Sequence, residues 1–147
     1  MKLLVAGRLA WKYGNLLEKL ETYKHRKDVI MLDYLEESEL AEIMGSAYAL
    51  VFPSYFEGFG VPIIEAMQCE VPVITSNTSS MPEIGGDAAL YGDPDNAGSI
   101  AKQMMQLYKD ETLRTGLIEK GKLQAAKFSW DYTADLFWGS IQKVINS

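Results

Sequence analysis

The sequence predicts an α/β fold, with helices flanking a buried parallel sheet. Three observations carry that expectation. Continuous apolar runs at residues 3–6, 29–32, 48–52 and 71–74 have strand length and lack the alternation of a half-exposed sheet. Between them stand segments whose apolar residues recur at helical spacing, so the chain reads as β-α-β units. Finally, 147 residues, 48% apolar and 11% aromatic, suit one domain with a real core and exclude general disorder.

The elements follow in order. Leu3-Leu4-Val5-Ala6 ends at Gly7 as a first strand. Leu16, Leu17 and Leu20 recur at helical spacing before a polar stretch through Lys27. Val29-Ile30-Met31-Leu32 is the second strand, and Ser38 is placed to cap a helix carrying Leu40, Ile43 and Met44. Tyr48-Ala49-Leu50-Val51-Phe52 is the third strand, closed by Pro53. Residues 61–67 read as helix, with Pro62 suited to the first turn. Val71-Pro72-Val73-Ile74 is the fourth strand. Ser80-Met81-Pro82-Glu83 fits a capping box that opens a short helix. A short strand at 88–91 leads into a turn at Gly92-Asp93-Pro94-Asp95. From Ala97 the chain reads as helix, with Ile100, Met104, Met105 and Leu107 facing inward, and then again from Leu113 to Phe128. Ser129 caps a last amphipathic helix, on which Trp130, Phe137 and Trp138 read as core or interface anchors.

Composition narrows the function. Fourteen Lys and Arg against 20 Asp and Glu leave a net charge of −6, which argues against a nucleic-acid binder. A single cysteine, Cys69, excludes an intramolecular disulfide and any multi-cysteine metal site. The single histidine, His25, sits in a polar stretch and reads as a solvated helix-end residue. No apolar run approaches the roughly 20 residues a membrane span needs. The first apolar run is too short for a secretory leader, so the cytoplasm is the expected compartment.

One segment stands apart. Pro53-Ser54-Tyr55-Phe56-Glu57-Gly58-Phe59-Gly60-Val61-Pro62-Ile63-Ile64-Glu65 begins where a strand ends and finishes inside a helix. Open α/β sheets bind ligands at the carboxyl ends of their strands. Gly58 and Gly60 permit close backbone approach, and their loop feeds a helix start whose free N–H groups favour an anion such as phosphate. Glu57 and Glu65, eight residues apart, are placed to accept hydrogen bonds from sugar or ribose hydroxyls, or to stabilise a developing cation. On spacing alone, a glycine-rich turn with two solvated glutamates is an equally good reading.

The same residues resemble a known family. Glu57 to Glu65 matches the E-x7-E motif of retaining nucleotide-sugar glycosyltransferases of the GT-B fold, group 1 (family 4). Val51-Phe52-Pro53-Ser54, Glu57-Gly58-Phe59-Gly60, Glu65-Ala66-Met67 and Val71-Pro72-Val73-Ile74-Thr75-Ser76-Asn77 are similar to its C-terminal domain. So are Met81-Pro82-Glu83, Gly86-Asp87-Ala88-Ala89-Leu90, Phe128-Ser129-Trp130, and upstream Asp28-Val29-Ile30 with Glu39-Leu40. The likeness covers nearly the whole chain and implies a Rossmann-like domain over residues 1–147, including the helices from about 97.

The resemblance implies a donor-binding domain that serves transfer of a hexose-type sugar from a nucleotide-sugar to an acceptor, with retention at the anomeric carbon. Glu57 would contact the transferred sugar as the catalytic residue, and Glu65 would bind the ribose hydroxyls. Gly58 and the backbone N–H groups of Phe59, Gly60 and Val61 would hold sugar and diphosphate. The backbone at Tyr34 and Leu35 would lie near the base. No cofactor or bound metal is implied, since the helix dipole and basic side chains neutralise the diphosphate. The full-length enzyme would be cytoplasmic or peripheral to the inner membrane.

Two departures shape the expectations. The family's enzymes pair this domain with an N-terminal acceptor domain, which this length does not accommodate, so the fragment itself would transfer no sugar. The family also has one more strand before the Pro-Ser segment, the first β-α unit, whose loop carries an Arg and a Lys on the diphosphate. Gly7-Arg8-Leu9-Ala10-Trp11-Lys12 superficially resembles that loop, but Asp28-Val29 aligns the first visible strand with the family's second, so Arg8 and Lys12 receive no role. In the order 3-2-1-4-5-6 the absent strand is central. A gap, a rearranged sheet or a dimer through exposed strand edges is then expected. The competing class is a non-catalytic nucleotide-sugar or phosphate-binding α/β module.

Overall fold

The structure, a computed structural model, describes residues 1–7 and 14–146. It divides into two compact units, Met1–Glu42 and Ile43–Ser147, taken here in turn.

In the first unit, β1 (Leu3–Val5) and β2 (Val29–Met31) pair in parallel, Leu3 opposite Val29 and Val5 opposite Met31. The connection carries α1 (Gly14–Glu21) and a 3-10 turn at Arg26–Asp28. The Lys2 ammonium lies 2.8 Å from Asp28 and holds that carboxyl below the usual carboxylate range. His25 is exposed beside the same turn, as expected for a solvated residue. α2 (Glu37–Gly45) starts before Ser38, and Ser38 does not cap it. The Glu39 carboxylate reaches back to accept from the Glu36 N–H at 3.0 Å, the return half of a capping box, so the cap falls two residues earlier than the sequence suggests.

The second unit holds β3 (Leu50–Phe52), α3 (Val61–Gln68), β4 (Val73–Ser76), α4 (Met81–Gly85) and β5 (Ala89–Gly92). Three long helices follow, α5 (Ala97–Lys109), α6 (Glu111–Ala125) and α7 (Trp130–Ile145). The sheet order is β3-β4-β5, all parallel, with Leu50 opposite Val73 and Val73 opposite Ala89. The pairings β1-β2 and β3-β4-β5 are those that the order 3-2-1-4-5-6 leaves when strand 1 is taken out.

The period of two along a strand sorts side chains onto two faces. Leu50, Phe52, Val73, Ala89 and Tyr91 join a core with Ile63, Ile64 and Met67 of α3 and Met81 and Ile84 of α4. Val51, Ile74 and Leu90 pack instead with Leu107 of α5 and Leu113 and Leu117 of α6. Helices therefore cover both faces of this sheet, which explains why its strands read as continuous apolar runs.

Three expectations need correction. The fourth strand lies at 73–76 rather than 71–74, because buried Thr75 and Ser76 extend it. Their hydroxyls donate to the carbonyls of Phe52 and Ser54, which removes the desolvation cost that polar residues suggest. Met104 and Met105 are exposed, not core filling; α5 buries Leu107, and Ile100 and Gln103 share that stripe at helical spacing. Of the two readings of Trp130, Phe137 and Trp138, the core one falls, since all three are exposed and α7 buries no side chain. Its cap is as expected, with Ser129 Oγ accepting from Tyr132 N at 3.1 Å. No helix among the described residues is long and apolar enough to cross a membrane.

Tyr91 gives the fold a measurable pH dependence. Its hydroxyl donates to Gly86 O at 2.6 Å. Burial, aided by the negative charge of Asp87, pushes that hydroxyl up to about 12. The folded value lies above the unfolded one, near 10. The contribution of the neutral ring is therefore complete below about pH 10 and is lost as pH rises through about 12. Denaturant titrations across that window are expected to show stability falling more steeply in the parent than in Tyr91→Phe.

Candidate functional site

The glycine loop occupies residues 53–60, between the carboxyl end of β3 and the start of α3. Gly60 stands before the helix with φ 102° and ψ 46°, in the left-handed region where a side chain is penalised. Pro62 sits in the first turn, where its missing N–H costs nothing. Among the described residues, no hydrogen bond takes up the backbone N–H of Gly58, Phe59, Gly60 or Val61. The loop and the first helical residue thus present consecutive donors at the positive end of α3, the arrangement that binds oxyanions.

Burial of one side of α3 fixes the other. Ile63, Ile64, Ala66 and Met67 are buried, whereas Val61, Glu65 and Gln68 are exposed at the spacing of one helix face. Glu65 is therefore one turn beyond Val61 on the outward side. Glu57 is half-buried in the loop itself, and Ser54 Oγ donates to its Oε1 at 2.8 Å.

The segment after β4 clamps this loop with hydroxyl groups. Ser76 Oγ donates to Ser54 O, and Thr78 Oγ1 to Tyr55 O at 3.0 Å. Ser79 Oγ donates to Glu57 O at 2.7 Å and accepts from Glu57 N at 3.3 Å. Ser80 Oγ reaches both Glu57 O, at 3.0 Å, and Phe59 O, at 2.8 Å. The capping box expected at Ser80 is thus corrected: Ser80 precedes α4 in a helical conformation and its side chain caps nothing there. The Phe59 ring, in addition, stands edge-on to Phe128 at 5.7 Å between centroids. Sequence reasoning missed Ser54, Ser76, Thr78, Ser79 and Ser80 as parts of the site. The available signal was the polar run Ser76-Asn77-Thr78-Ser79-Ser80, which leaves a neighbouring strand at the same edge of the sheet as the glycine loop.

Glu57, Gly58, Phe59, Gly60, Val61 and Glu65 therefore share one loop and one helix. Tyr34 and Leu35 belong to the first unit, after β2, where Tyr34 is exposed and its N–H donates to Asp33 Oδ1 at 2.8 Å. Arg8 and Lys12 lie outside the described residues.

Gly60→Ala checks the loop. The left-handed backbone there costs an alanine about 1–2 kcal/mol, and its Cβ would come within 3.3 Å of Ile63 Cδ1. A thermal melt is expected to show a loss of that size.

Comparison with known proteins adds the family. The model for the group 1 glycosyl transferases matches residues 1–124. The O-antigen chain mannosyltransferase B of Escherichia coli is 36% identical over 129 residues, covering 88% of this chain and 34% of that protein. This chain thus spans about a third of that relative's length. Among solved structures, sucrose-phosphate synthase from Thermosynechococcus elongatus superposes with a TM-score of 0.86 at 22% identity, over 99% of this chain and 39% of that one. Anabaena HepE, solved with UDP and glucose, gives 0.83 at 16% identity, over 97% of this chain and 40% of its own. Over that part, both solved structures share its α/β fold of a parallel sheet flanked by helices. With a family match across most of its length, the chain belongs to the group 1 glycosyl transferases.

Proposed function

We propose that this chain forms the nucleotide-sugar donor site of a retaining enzyme that transfers a hexose-type sugar. The observation that carries the reading is the pair Glu57 and Glu65 set around the free N–H groups of residues 58–61 at the start of α3. A diphosphate accepts hydrogen bonds from those N–H groups and gains from the helix dipole. Glu65, outward on the next turn, accepts from ribose hydroxyls.

The chemistry follows from the same placement. When the bond from the sugar's anomeric carbon to the diphosphate breaks, its electron pair leaves on the phosphate oxygen. Positive charge develops on the sugar ring and negative charge on the leaving group. Donors already aimed at the diphosphate stabilise that negative charge without reorganising. Glu57, held beside the sugar, stabilises the positive charge as the catalytic carboxylate. The acceptor is supplied by a separate N-terminal domain, so this chain alone binds donor without transferring it. The mannosyltransferase relative and the solved neighbour with UDP and glucose support a hexose and a nucleoside diphosphate as ligands.

Calorimetry with UDP, GDP, UDP-glucose and GDP-mannose tests the reading. One diphosphate and its sugar are expected to bind, and no binding by any of the four would refute the donor site. In the enzyme joined to its acceptor domain, Glu57→Ala is expected to cut turnover by more than it weakens diphosphate binding. Equal losses would reduce Glu57 to a binding residue.

A further inference from the structure

Glu57 is gripped at three points: its carboxylate, its carbonyl and its N–H. Ser54 Oγ donates to the Glu57 carboxylate at 2.8 Å. Ser79 Oγ closes on the Glu57 main chain from both sides, donating to its carbonyl at 2.7 Å and accepting from its N–H at 3.3 Å. Ser80 adds a further bond to the same carbonyl. Ser79 does this from φ 54°, a left-handed conformation that a residue with a Cβ adopts at a cost. Strain of this kind persists only where the surroundings over-determine it, and it concentrates at ligand clamps. Glycine would meet that backbone demand without penalty, but it has no hydroxyl for Glu57.

From these contacts we infer that Ser54 and Ser79 are positioning residues, which aim the Glu57 carboxylate at the transferred sugar. Ser54 fixes the side chain, and Ser79 fixes the backbone from which it springs. Their effect falls on the sugar and not on the diphosphate, which is held by the N–H groups of residues 58–61. The inference rests on the donor-site reading above, and it separates two roles within the one loop.

The test compares two affinities in each variant. The parent chain is titrated with a nucleoside diphosphate and with the corresponding nucleotide-sugar, from the UDP and UDP-glucose or GDP and GDP-mannose pairs. Ser54→Ala and Ser79→Gly are each expected to shrink the advantage of the nucleotide-sugar by about three- to tenfold, toward that of Glu57→Ala. Diphosphate affinity stays within about twofold of the parent. Ser54→Thr, which keeps the hydroxyl, restores the advantage. Ser79→Gly melts close to the parent temperature, because relief of the left-handed strain offsets the hydrogen bonds lost with the hydroxyl. Stability and discrimination thus move apart in this variant, whereas a purely structural serine would lose both together. An unchanged advantage in both variants, or equal losses for the two ligands, overturns the positioning roles and leaves the donor site standing. A parent chain that binds none of the four ligands overturns the donor site, and the positioning roles with it.

Discussion

Ile63→Ala is expected to lower the free energy of unfolding by about 2–5 kcal/mol. Ile63 is 0% exposed in the first turn of α3, packed with Met67, Val73 and Met81. Its N–H donates to Gly60 O at 3.0 Å, so the residue that anchors the helix in the core also ties down the end of the glycine loop. Truncation leaves a cavity that the surrounding helices and sheet fill only in part. A domain of this size has about 5–15 kcal/mol of stability to lose, so the variant should be partly unfolded in modest denaturant. Ile63→Val, one methylene smaller, is expected to cost only about 0.5–1.5 kcal/mol. Denaturant titration of the three proteins checks the series. An alanine variant as stable as the valine variant would show that α3 is not docked as described.

This dependence of the loop on the core explains what the sequence made legible. β3 packs Leu50 and Phe52 on one face and Val51 on the other, so it carries unbroken apolar residues; β1 and β2 also lie within apolar runs, although Leu3, Leu4 and Ile30 are exposed. The start of α3 was legible because Gly60 and Pro62 each answer a local backbone demand. The outward position of Glu65, one turn beyond Val61, follows from helix periodicity once that start is known. These are short-range facts, and a sequence displays short-range facts directly.

What stayed hidden depends on distant partners. Ser80 followed by Glu83 looks like a cap, yet its hydroxyl bonds to carbonyls 21 and 23 residues away. Nothing local distinguishes a serine that caps its own helix from one that clamps another loop. Met105 and Leu107 are two residues apart on α5 and chemically alike, and only the packed sheet decides that Leu107 is buried. The apolar stripe of α7 reads by periodicity as a packed face, yet none of its side chains is buried among the described residues. The Phe59–Phe128 contact joins residues that no spacing rule connects.

Glu65→Ala is expected to weaken nucleoside diphosphate binding by about 1–3 kcal/mol while leaving the fold intact. The separation of the two effects follows from where the side chain stands. Glu65 is exposed on the outward face of α3, and among the described residues its carboxylate takes no hydrogen bond or ion pair. Its removal leaves no cavity and no orphaned partner, and alanine is the better helix former. Unfolding should therefore shift by no more than about 0.5 kcal/mol. On the proposed donor-site reading, the same carboxylate accepts charge-assisted hydrogen bonds from the ribose, and the variant loses them entirely. Glu65→Gln keeps the acceptor oxygen without the charge and should fall between. A 2′-deoxy diphosphate sharpens the comparison. It should bind the parent more weakly than the ribose form does, and that difference should shrink in Glu65→Ala, because one partner of the hydrogen bond is already gone. If the parent binds both sugars equally, or if the ribose preference survives in Glu65→Ala, the carboxylate does not touch the ribose and Glu65 leaves the site.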